Sequence, residues 1–259
     1  MEFKGKSIPQ TILGFGPFMA EPYFGHRSRL YQLDLYDSPQ NISDVIVESY
    51  NQGVRAINLI NDSNLLEAYD IAAEQDCKMK VIATVGRSDV DYLNPNYEVA
   101  KEVDWDEDIE LFSDYDCPLM LVDEFIVDGY DWKLTSKILS EINNTGSLSG
   151  LITAFPSKTT DMIRENLDLD LFDFYMIPFN SISYMMDISA FNESQREGFK
   201  QKLLGLNKKV IASRILAAGV LQPKEAFTFF KNIDYIDLIT VGVAKVEEAR
   251  QDFSLLKEF

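Results

Sequence analysis

The fold class that this sequence predicts is α/β, a (β/α)8 TIM barrel, and two observations predict it. Short apolar runs alternate with amphipathic helical patterns about every 30 residues, the rhythm of βα units with a parallel sheet. Eight such units fit within 259 residues, the usual size of one barrel of this kind. The runs are rich in β-branched residues, as strands buried on both faces require. No linker rich in Pro, Gly or Ser divides the chain, so residues 1–259 are expected to form one barrel domain.

The first run is TILGFG, 11–16, and a long loop follows it, PFMAEPYFGHRSRLYQLDLYDSP. Asn41 or Ser43 is expected to cap a helix that runs to about Asn51, with Ile42, Val45, Ile46 and Tyr50 on one face and Gly53 as its stop. The second run is VRAINLI, 54–60, followed by the helix NLLEAYDIAAEQ. The third is KVIATVG, 80–86, with a helix over DEDIELFSDY. The fourth is PLMLVDEF, 118–125, with the helix DWKLTSKILSEINN ending at Gly146. The fifth is LSGLITAF, 148–155, then TTDMIRENL with a threonine cap. The sixth is FDFYMIPF, 172–179, then SAFNESQREGFKQKLLGL. The seventh is KKVIASRIL, 208–216, and its helix opens at Pro223, a first-turn position that suits proline. The eighth is DLITVGV, 237–243, followed by KVEEARQDFSLLKEF. An open doubly wound sheet is the rival fold, but GFGPFM lacks the third glycine of a dinucleotide-binding turn.

Composition narrows the partners. A formal net charge of −18 repels phosphate backbones and argues against nucleic acid. No apolar run approaches the roughly 18 residues of a membrane span. The opening MEFKGKSIPQ has no apolar core of a secretory signal, so a cytoplasmic location is expected. Cys77 and Cys117 form no CxxC motif. Each precedes a neighbouring strand, where a disulfide is conceivable and two free thiols suit a reducing cytosol better. His26 is the only histidine, which excludes a multi-histidine metal site and leaves a carboxylate site open; no metal ligands are assigned.

In such barrels the chemistry belongs to the C-terminal strand ends and the loops after them. Asp123 and Glu124 interrupt an apolar strand there, and by strand alternation only one should face the lumen. The functional reading is a general base or a metal ligand; the structural one is a buried ion pair with Arg87 or Arg214. Gly242, Lys245 and the N-terminus of the last helix, with Arg214 from the seventh unit, read as a cup for an anionic group. The first loop, carrying Glu21, His26, Arg27 and Arg29, is too long for an idle connection and reads as a lid. His26 is the one side chain whose ordinary pKa lies near neutrality.

The order of these pieces resembles the aldo-keto reductase family over most of the chain. LGFG is similar to that family's opening strand, and NQGVRAINLI to its helix, glycine and second strand. DFYMIPFNS is similar to its sixth strand, with Asn180 near the nicotinamide. VIASRILAAGVL and LITVGVAKVEEAR are similar to the units that hold the cofactor phosphates, with Gly219 and Gly242 retained. The resemblance implies the barrel and an NADP site. At the family's catalytic positions, however, the aspartate is Asn58, the tyrosine Ser63, the lysine Val85 and the histidine Asp123. Ser213 stands where an aromatic residue would stack on the nicotinamide, and Gln251 and Asp252 stand at the adenosine end. The resemblance therefore implies the fold and not carbonyl reduction by that tetrad.

Three functions stay open. One is an enzyme on a small anionic or phosphorylated metabolite, with Asp123 or Glu124, and His26, in the chemistry and Asn180, Arg214, Gly242 and Lys245 in binding. The second is a divergent oxidoreductase that keeps NADP. The third is a non-catalytic binding or scaffold protein.

Overall fold

The computed structural model describes residues 1–88, 92, 94–188 and 192–257. A two-stranded antiparallel hairpin, β1 (Glu2–Phe3) and β2 (Lys6–Ser7), comes first. Its turn takes positive φ at Lys4 and Gly5, which matches the twist of a tight hairpin. Eight parallel strands then close a ring: β3 (Thr11–Leu13), β4 (Ala56–Leu59), β5 (Lys80–Val85), β6 (Leu119–Val122), β7 (Leu148–Ile152), β8 (Phe174–Pro178), β9 (Lys209–Ser213) and β10 (Leu238–Val241). Each lies beside its sequence neighbour, and β10 pairs with β3, Ile239 to Thr11 and Val241 to Leu13. The predicted TIM barrel is thus present, with its eight strands in the expected order.

The strands alternate between two apolar layers, as a period of two demands. Ile12, Ala56, Ile82, Leu119, Leu121, Phe174, Ile211 and Leu238 fill the barrel. Leu13, Ile57, Val81, Met120 and Val122 point outward into the layer beneath the helices. The hairpin plugs the N-terminal end: Met1 and Phe3 pack on the inner cluster, with Phe3 edge-on to Phe174 at 5.4 Å. Chemistry is left to the other end.

Every strand is shorter than its apolar run, mostly because the last residues leave the ladder to build the mouth. Gly14 to Gly16 and Asp123 to Phe125 are examples. The helices are α1 (His26–Tyr31), α2 (Pro39–Asn51), α3 (Ser63–Glu74), α4 (Tyr97–Ala100), α5 (Trp105–Ser113), α6 (Glu124–Val127), α7 (Trp132–Asn144), α8 (Pro156–Asn166), α9 (Glu193–Leu204), α10 (Pro223–Phe230) and α11 (Val246–Leu256). Two expected caps are corrected. Helix α2 starts at Pro39 and α8 at Pro156, ahead of Asn41, Ser43 and the threonines, because proline's fixed φ already suits a first turn. The first three residues of the helix expected after the sixth strand, 189–191, lie outside the described residues; α9 itself opens with a capping box of Asn192 and Gln195.

Cys77 and Cys117 are free and buried, and burial raises their thiols to about 11 and about 12, which makes them poor nucleophiles. No described helix is long and apolar enough to cross a membrane.

Gly150 on β7 is a test of the packing inside the barrel. A Cβ there would lie 2.6 Å from the Phe174 carbonyl oxygen and 2.5 Å from Leu121 Cδ2. Backbone on one side prevents relief by a rotamer change. Gly150→Ala is expected to lower the free energy of unfolding by ~2 kcal/mol in urea titration. A variant as stable as the parent would contradict this packing.

Candidate functional site

A cavity of about 320 Å³ opens at the C-terminal mouth of the barrel and runs toward α11. Strand ends supply Gly14, Asn58, Thr84, Asp123, Ser213, Arg214 and Gly242. The first loop supplies Glu21, Tyr23, Phe24, Arg27 and Tyr31, so the segment expected to act as a lid does cover the mouth. Five carboxylates (Glu21, Asp123, Glu124, Glu248, Asp252) and three guanidiniums (Arg27, Arg87, Arg214) line it. The lining is therefore acidic when all are ionised.

A connected network holds the axial end. Arg87 Nη2 donates to Glu21 at 2.6 Å, and its Nη1 lies 3.4 Å from Asp123 Oδ2 and 3.2 Å from the Tyr92 hydroxyl. Tyr92 donates to Glu124 at 2.7 Å, and Arg214 Nη2 reaches both Glu124 oxygens at 2.9 Å. Arg214 Nη1 is buried and has no hydrogen-bond partner among the described residues. The guanidinium lies 5.0 Å from the centre of the Tyr23 ring.

Burial dominates the titration of these acids. It raises Glu21 to about 7 against the pull of Arg87, and Asp123 to about 6 against the same arginine. A third acid, Asp128, sits behind the wall and rises to about 7 for the same reason. Asp128 accepts from Thr153 and Thr159 hydroxyls and from the Ala154 N–H, so it ties the turn after α6 to the end of β7.

The backbone around Arg214 is strained. Arg214, Ala217 and Ala218 all take positive φ without being glycine. Asn180 holds this turn: its Nδ2 donates to the Arg214 carbonyl at 3.3 Å and to Tyr184 at 2.9 Å.

The α11 end differs. Glu248 accepts the Ala244 N–H at 2.8 Å, so a carboxylate of this chain lies beside the start of α11. Asp252 lies one helical turn on. Arg27 donates to the Gly219 carbonyl at 3.2 Å, and a Cβ on Gly219 would overlap its guanidinium.

The structure brings some predicted residues together and separates others. Asp123, Glu124, Arg214 and Gly242 line the cavity; Asn180 is fully buried behind Arg214. His26 is exposed on the first turn of α1 and does not line the cavity. Lys245 is exposed at the N-cap position of α11 and is not in the lining either. The alternation expected at residues 123 and 124 is corrected: β6 ends at Val122 and Asp123 caps α6, so both carboxylates reach the cavity. Of the positions compared with reductase catalytic residues, Asn58 and Asp123 line the cavity, Val85 is buried at the end of β5 and Ser63 opens α3. Among the described residues no group of three or more His, Cys, Asp or Glu is placed to hold a metal ion. Glu21 gained most from the structure, because only the fold carries it 66 residues to Arg87.

No family model matches this chain, and no curated protein matches it. Solved structures do. A Pseudomonas aeruginosa protein assigned to the aldo-keto reductases superposes with a TM-score of 0.64 at 14% identity, covering 98% of this chain and 92% of that one. An aldo/keto reductase from Brucella melitensis gives 0.59 at 12%, covering 98% and 91%. A variant of Gox0644 in complex with NADPH gives 0.62 at 12%, covering 98% and 86%. At such identities the likeness shows the fold: this is an aldo-keto-reductase-like barrel.

Arg87→Met tests the network. It would leave Glu21 and Asp123 buried without their shared cation, with an expected loss of about 3–5 kcal/mol at neutral pH. The sign with pH follows from the raised carboxyls. Folded, they hold protons that the unfolded chain has released, so their contribution is fully present below 3.8–4.5 and fades as pH rises through about 6 and 7. Without Arg87 both rise further. The variant's deficit, read by chemical denaturation, should be smallest in acid and largest above neutrality.

Proposed function

We propose that the protein binds a small metabolite bearing an anionic or carbonyl oxygen in the mouth, and moves a proton on it. The observation that carries this reading is the pair Glu21 and Asp123: two buried carboxylates on one arginine, at the cavity wall, both raised by burial, to about 7 and about 6. Carboxyls raised toward neutrality can take and give protons at working pH. At neutral pH Asp123 is the ionised base that accepts a proton from the ligand. Glu21 is half protonated and returns one, so isomerisation or elimination needs no external acid. Glu124 is engaged by Arg214 and Tyr92 and serves to orient them. Arg214 Nη1 supplies the unspent donor for the ligand's oxygen.

The test is deuterium wash-in from D2O, followed by proton NMR, across a panel of 2-oxo acids and sugar phosphates. Wild type should exchange the hydrogen beside the carbonyl of at least one compound. Asp123→Asn should slow that exchange 100-fold or more, and Arg214→Met should weaken binding about tenfold. Exchange that survives Asp123→Asn, or a panel with no exchange, contradicts the reading.

A second reading is redox chemistry with a nicotinamide dinucleotide, favoured by the NADPH complex of a structural neighbour and by the cavity's reach to α11. The residues at that end do not fit. A dinucleotide phosphate needs free N–H groups or cations. Here Glu248 occupies the Ala244 N–H, and Asp252 faces the same space. NADPH fluorescence titration is expected to give no saturable change, and a saturable change would favour the redox reading.

A further inference from the structure

Asp252 is the buried acid that the network at the mouth leaves out. It is 7% exposed, lines the cavity, and makes no hydrogen bond or ion pair with a described residue. A carboxylate so buried is costly without a partner. Its charged neighbour is Glu248, four residues earlier on the same face of α11 and of the same sign, and burial together with Glu248 raises Asp252 to about 6. The arginine at this end, Arg27, is engaged with Gly219 and with the Tyr31 hydroxyl. Two like charges one turn apart, facing a cavity, with the local cation engaged elsewhere, describe half of an ion pair.

We propose that the α11 end of the cavity receives an ammonium group, so that the ligand carries a primary amine docked between Asp252 and Glu248 and an oxygen acid or carbonyl group at Arg214. The inference rests on the mouth being a small-molecule site and adds the ligand's class, an amino-functional zwitterion. A primary ammonium fits better than a hydroxyl, because only a cation relieves the repulsion between the two acids. Its three N–H donors exceed what one carboxylate can use, and a second stands beside the first. A ligand of this polarity would use Arg214 Nη1 at one end and the Asp252 carboxylate at the other. An NADP phosphate would meet those acids instead.

The experiment titrates isotope-labelled protein with butylammonium and, separately, with butyrate, at fixed ionic strength and neutral pH. It reads the Asp252 side-chain carboxyl and the Arg214 guanidinium by NMR. Butylammonium should shift Asp252 saturably. Asp252→Asn, its fold checked by thermal melting, should weaken that binding at least tenfold, and Glu248→Gln should weaken it in the same direction. A shift no larger than sodium chloride produces, or equal binding by Asp252→Asn, overturns the proposal. Butyrate that fails to move Arg214 while butylammonium binds at Asp252 sinks the oxygen-binding reading of the mouth and leaves the amine site supported. Butyrate that moves Arg214 while butylammonium binds nowhere does the reverse.

Discussion

Arg87 is the contact on which the mouth of this barrel depends. It comes from the loop after β5, yet it holds Glu21 of the first loop and Asp123 at the end of β6. Two carboxylates buried at one wall repel each other and lose their hydration, so neither could stay there without a shared cation. With Arg87 between them, the first loop is anchored across the strand ends and the cavity gains a roof. Tyr92 extends the same chain of contacts to Glu124 and Arg214. One guanidinium thus joins the first loop to the ends of β5 and β6.

The barrel was legible in the sequence because burial on both faces writes a strong signal. Runs such as KVIATV and LMLV admit few other placements, and the eight-fold recurrence gives the order. Helix starts at Pro39 and Pro156 were less legible, since asparagine, serine and threonine nearby offer competing caps and only the loop path decides. The hairpin at residues 2–7 was missed because it is short and its strands read as ordinary polar sequence. At the site, Asp123, Glu124 and Arg214 stood out as charges within apolar runs. That both carboxylates reach the cavity depended on β6 ending one residue earlier than its apolar run suggests. Glu21 and Asp252 carried no comparable mark. One lies in a long loop whose path the sequence does not give, the other on an amphipathic helix, and only the closed fold turns them into buried acids.

Structural neighbours that include aldo-keto reductases share the barrel's architecture at low identity. Arg214 takes a left-handed backbone conformation that favours glycine, and Asn180 fixes it there. Its guanidinium lies against Glu124, and Nη1 has no hydrogen-bond partner among the described residues. At the far end α11 begins with a carboxylate of the chain itself. A barrel built for a dinucleotide would leave that helix start open to a phosphate. Here the same fold frames a cavity in which carboxylates and guanidiniums alternate, from the Arg87 network to Arg27, Glu248 and Asp252.

The central claim is that the mouth holds two buried carboxyls, both raised toward neutrality, around one arginine. Carbon-13 NMR of the Glu21 and Asp123 side-chain carboxyls across pH tests it most directly. The account predicts midpoints near 7 for Glu21 and near 6 for Asp123, each moving upward in Arg87→Met. Two ordinary titrations near 4, unmoved by the loss of Arg87, would contradict it.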